Sequence, residues 1–97
     1  MIHEIYFITA AEVGRFKIGR TVDIRSRLQT LRTSSPVALQ CIATTHAPRG
    51  EHERFEIMCH IIAEERGFTR VHGEWFEGVI DVDDCAAIVE TARQRLL

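Results

Sequence analysis

No apolar run in the 97-residue chain exceeds four or five residues, against the roughly 20 that a membrane-crossing helix requires. The N-terminus also lacks a basic segment followed by an apolar stretch, so no secretory leader is expected and the chain reads as cytoplasmic. Cysteine is sparse. Cys41, Cys59 and Cys85 are odd in number and far apart, which excludes a disulfide framework and supplies no C-x-x-C metal knuckle. They read as small buried apolar side chains. His3, His46, His52, His60 and His72 form no zinc pattern with any cysteine pair. Repeats, low-complexity segments and linkers are absent, so a single domain over residues 1–97 with one modest core is expected. Lysine occurs once, as Lys17.

What the chain does hold is ordinary apolar content, 45% hydrophobic and 7% aromatic residues, which speaks against a disordered polymer. Its net charge of −2 conceals a strong polarity. Residues 15–32 carry Arg15, Lys17, Arg20, Arg25, Arg27 and Arg32 against Asp23 alone, and the remainder is correspondingly acidic. Such a chain can present one basic face to phosphate. Charge alone leaves a solvated helix face with internally paired arginines equally open.

Residues 2–9 and 15–20 read as two strands joined by "AAEVG", a connection whose Gly14 suits a hairpin. Alternation sends Ile5, Phe7, Phe16 and Ile18 to the core and leaves Tyr6 beside Lys17 on a shared accessible side. "TVDIRSRLQTLRT" places Ile24, Leu28 and Leu31 on one helical stripe, with Thr21 or Asp23 as cap. "VALQCIATTH" predicts a third strand. Pro48 opens a helix through about Arg66, with Phe55, Met58, Cys59 and Ile62 as its apolar stripe and Glu56 and His60 stacked at its edge. "RVHGEWF" reads as a turn leading to a short extended piece, and "DVDDCAAIVETARQRLL" as a last helix. The class is α+β, with a small mostly antiparallel sheet flanked by helices.

"IYFI", "FKIG", "RSRLQTLRTSSP", the Glu56-to-His60 spacing and "RVHGEWF", in this order, resemble the GIY-YIG endonuclease superfamily and within it the compact phage-T5-type branch. The resemblance implies a three-stranded antiparallel sheet between helices and metal-dependent cleavage of DNA phosphodiesters. It matches Tyr6 to the first-motif tyrosine, Lys17 to the start of the second motif and Gly19 to its closing glycine. It likewise matches Arg27 to the arginine of the first helix and Glu56 to the glutamate that binds Mg²⁺ or Mn²⁺. His60 and Gly73, Glu74, Trp75 and Phe76 belong to the branch's own signature. Glu4 stands where the first motif has glycine, and the chain has no asparagine to match the late asparagine of many active members.

Phosphodiester hydrolysis needs an activated water and compensation for charge on the phosphate oxygens. Glu56 is the candidate metal ligand, with Glu53, one turn earlier, as the alternative should the helix register differ. Arg27 offers permanently charged planar donors to phosphate, and Arg15, Arg20, Arg25 and Arg32 are candidate DNA contacts. Tyr6, its pKa lowered by Lys17 or a metal, is the candidate base, and His60 either joins the chemistry or orients Glu56. Each has an ordinary alternative: a core tyrosine, edge protection by Lys17, a surface Arg27–Glu56 ion pair. The expected partner is DNA, with no membrane and no organic cofactor, and with specificity low or supplied by a protein partner. A nucleic-acid-binding module without catalysis, or a phage-type protein-interaction domain on the same scaffold, are the competing classes.

Overall fold

In the computed structural model, which describes residues 1–97, β1 (Glu4–Ala10) and β2 (Arg15–Thr21) pair antiparallel, with Tyr6 opposite Gly19 and Ile8 opposite Lys17. A 3-10 turn over Ala11–Val13 joins them, ended by Gly14 in the left-handed region at φ 63°, where glycine pays no Cβ penalty. α1 (Ile24–Ser34) is capped by Asp23, whose carboxylate accepts the backbone N–H of Ser26. β3 (Gln40–His46) pairs antiparallel with the other edge of β1. α2 (His52–Glu65) begins later than the expected start at Pro48, because Gly50 sits at φ 79° and holds the intervening residues in a turn. β4 (Thr69–His72) and β5 (Trp75–Glu77) form a second hairpin, and α3 (Val82–Arg95) follows from a reciprocal Asp81–Asp84 capping box.

The five strands run in the order β3-β1-β2-β5-β4, every neighbouring pair antiparallel. The α+β class holds, and the expected three strands are corrected to five. The segment 69–77 is too short and too polar to announce two strands by alternation, yet hydrogen bonding to β2 organises it. One face of the sheet carries the main core, where Ile5, Phe7, Phe16 and Ile18 pack against Phe55, Cys59 and Ile62 of α2 and Cys85, Ile88 and Ala92 of α3. Burying each such large side chain contributes about 1.5–3 kcal/mol of transfer free energy. The other face carries a smaller cluster, Tyr6, Ile8, Ala10 and Leu39, beneath Ile24, Leu28 and Leu31 of α1. No helix is long and apolar enough to cross a membrane.

β5 pairs with β2 only from Arg15 to Lys17, so Ile18, Gly19 and Arg20 leave that ladder. Ile18 instead donates its N–H to the Glu74 carbonyl at 3.1 Å and accepts at its own carbonyl from His60 Nε2 at 2.8 Å. The β4–β5 turn and α2 therefore converge on the open stretch of β2.

Candidate active site

Gly19 is the floor of this convergence. A methyl group built there would overlap Tyr6 Oη and Cζ and stand 2.8 Å from Glu74 Oε1. Only a residue without Cβ lets the phenol and the carboxylate meet over the strand. Lys17, two residues earlier on the same strand face, places Nζ 2.7 Å from Glu74 Oε1 and 5.7 Å from the Trp75 ring centre.

Glu56 enters from α2 and is 9% exposed. Its Oε2 is buried with no hydrogen-bond partner, while its Oε1 lies 3.8 Å from Arg20 Nε. Arg20 also faces Glu53 Oε1 at 3.7 Å, so both of its contacts are beyond hydrogen-bond length and its Nη1 is itself buried and unpartnered. Burial, reinforced by the Glu74 carboxylate and opposed by Arg20, pushes the Glu56 carboxyl up to about 7. This is a charged group held out of water and left incompletely satisfied.

Tyr6 has no accessible surface, which corrects the expectation of a shared open side: α1 covers this face. Its hydroxyl accepts a hydrogen bond from Nε of the exposed Arg27 at 3.4 Å. Burial raises the phenol above its ordinary pKa, with the Arg27 hydrogen bond acting against that rise. The cation on the phenol is thus Arg27, while Lys17, diagonal to Tyr6 across the hairpin, serves Glu74.

His60 is 5% exposed and has both ring nitrogens engaged. Arg70 can only donate, so Nδ1 accepts from Arg70 Nη2 at 2.9 Å and Nε2–H donates to the Ile18 carbonyl. Burial, with Arg70 adding to it, lowers its pKa and keeps the ring neutral. Neither nitrogen reaches Glu56, so in this arrangement His60 is a strut between α2, β4 and the open stretch of β2.

The arginines fall into separate groups. Arg20 is drawn into the carboxylates, and Arg15 pairs with Glu77 at 3.8 Å at the β5 side. Arg25 and Arg32 line a shallow groove of about 580 Å³ on α1, together with Gln29 and Thr33. Glu74 is the residue that reading the motifs for chemistry overlooked. It lies in the β4–β5 turn just ahead of Trp75, where no strand alternation announces a side chain, and only the fold brings its Oε1 to Lys17 Nζ above Gly19. Cys59 and Cys85 are buried as expected, with burial pushing their thiols up to about 12, whereas Cys41 on the β3 edge is only half-buried.

No three His, Cys, Asp or Glu side chains gather into a metal cage. A divalent ion here would have few protein ligands and keep its waters, which is how Mg²⁺ binds, and the orphaned Glu56 Oε2 fits such an ion. Compared with known proteins, residues 4–93 match the family model described as the T5orf172 domain. No curated protein and no solved structure matches the chain.

Proposed function

The chain belongs to the T5orf172 domain family, and from that premise we propose that it is a metal-dependent DNA endonuclease of the GIY-YIG type, hydrolysing phosphodiester bonds. The observation that supports this reading is the meeting of Tyr6 and Glu74 over Gly19, with the unsatisfied Glu56 carboxylate beside them. A structural core has no use for such an arrangement, because an unpaired buried carboxylate costs stability unless something else occupies it.

Arg27 binds the scissile phosphate. It is exposed, permanently charged and planar, and it already touches the phenol, so phosphate oxygens on this guanidinium lie next to Tyr6 Oη. Arg25 and Arg32 hold the flanking phosphates along α1. Tyr6 keeps its proton at neutral pH and acts through Arg27, whose guanidinium its Oη holds in place by accepting from Nε. Lys17 offsets the charge of Glu74, and His60 holds the strand that carries Gly19. Mg²⁺ or Mn²⁺ held by Glu56 would supply charge that stabilises the phosphate oxygens and makes a bound water easier to deprotonate. The seal over Tyr6 means that substrate engages at the Arg27 rim.

The test is nicking of supercoiled plasmid with Mg²⁺ or Mn²⁺. The wild type relaxes the plasmid and Glu56→Gln does not. Absence of nicking by folded wild type with either metal refutes the reading, and metal-independent DNA binding that weakens steeply with salt then identifies a binding module.

A further inference from the structure

We propose that Glu74 is a second carboxylate ligand, so that the divalent ion is held between α2 and the β4–β5 turn by Glu56 and Glu74 together. This rests on the reading that an ion binds at Glu56, and adds a ligand to it. Three observations carry it. The two carboxylates come from elements far apart in sequence, yet Glu74 stands over Gly19 and Glu56 beside Arg20, adjacent residues on the open stretch of β2, where the Glu74 backbone itself is fixed by the bond from Ile18 N–H at 3.1 Å. Glu56 is nine-tenths buried, and its Oε2 finds no donor, although the neighbouring cation Arg20 stands only 3.8 Å from Oε1. Two like charges brought together in partial burial repel unless a proton or a cation joins them, and above neutral pH the proton leaves. Lys17 meets that need on one side only, through Glu74 Oε1 at 2.7 Å. One or two carboxylates with retained waters is the coordination Mg²⁺ and Mn²⁺ accept.

The alternative is that Glu74 exists only to pair with Lys17. Titration of Mn²⁺ into DNA-free protein, read from the resonance of the free ion, separates the two. Wild type binds one Mn²⁺, and Glu56→Gln and Glu74→Gln each weaken binding about tenfold or more. Glu64→Gln, altering an exposed carboxylate further along α2, leaves binding at the wild-type level. Melting in EDTA checks that each variant folds. Should Glu74→Gln not fold, Glu74→Asp keeps the charge but withdraws it, and the same weakening is expected. Wild-type affinity in the Glu74 variant, with loss in Glu56→Gln, overturns the role of Glu74 and leaves the Glu56 site standing. No Mn²⁺ binding by wild type, or equal binding by all variants, overturns both.

Discussion

In metal-free solution, Glu56 makes the folded chain less stable as pH rises, and Glu56→Gln removes that dependence. The folded carboxyl stands at about 7 against an ordinary 4.5, so the folded state holds the proton more tightly than the unfolded one. The stability this confers is complete below about 4.5 and is lost as pH rises through about 7. Between pH 5 and pH 8 linkage puts the loss at about 2.5 kcal/mol, and partial solvent screening brings it to about 1–2.5 kcal/mol. For a domain of this size that is roughly 5–20 °C in melting temperature. His60 works in the opposite sense: with its pKa lowered by burial, its contribution is present above 6.5 and is lost on acidification. It is common to both proteins, so the difference between them isolates Glu56. Thermal melts of wild type and Glu56→Gln in EDTA at pH 5 and pH 8 are the assay, with the variant gaining on wild type at the higher pH. A difference that stays constant with pH, or that moves toward wild type, refutes the unsatisfied carboxylate.

Gly19→Ala forces Tyr6 and Glu74 apart, costing about 1–3 kcal/mol as overpacking and abolishing nicking, checked by urea unfolding and plasmid relaxation. Arg27→Ala, at an exposed position, changes stability by less than about 1 kcal/mol. It lowers the salt slope of DNA binding by about 1 in fluorescence titrations, and Arg27→Lys does not restore nicking because the planar fork is lost. His60→Ala leaves the Ile18 carbonyl and Arg70 without their partner and costs about 1–3 kcal/mol by urea unfolding.

The parts of the fold legible from sequence are those written in local periodicity. The alternation of Ile5, Phe7, Phe16 and Ile18 and the stripe of Ile24, Leu28 and Leu31 each name the face that is buried. β4 was not legible because all four of its residues are exposed and an edge strand of that length carries no core pattern. The candidate residues were nameable as residue types through the family motifs, while the structure brings Tyr6 and Glu74 together over Gly19, with Lys17 on Glu74 and Arg27 on the Tyr6 hydroxyl. Which cation serves which group was not legible. It depends on hairpin register, and the pairing of Tyr6 with Gly19 puts Lys17 on the diagonal and leaves the phenol to Arg27. The burial of Tyr6 depends on α1 lying over that face, and Glu74 depends on a turn contact to Ile18, both of them long-range facts.

The most direct measurement is the anomalous scattering of Mn²⁺ in crystals of the protein. A peak at coordination distance, about 2 Å, from the Glu56 carboxylate on the side facing Tyr6 and Gly19 is the result predicted. Ordered Glu56 with no peak there, or a peak only at remote surface carboxylates, contradicts a metal-dependent hydrolytic centre in this chain.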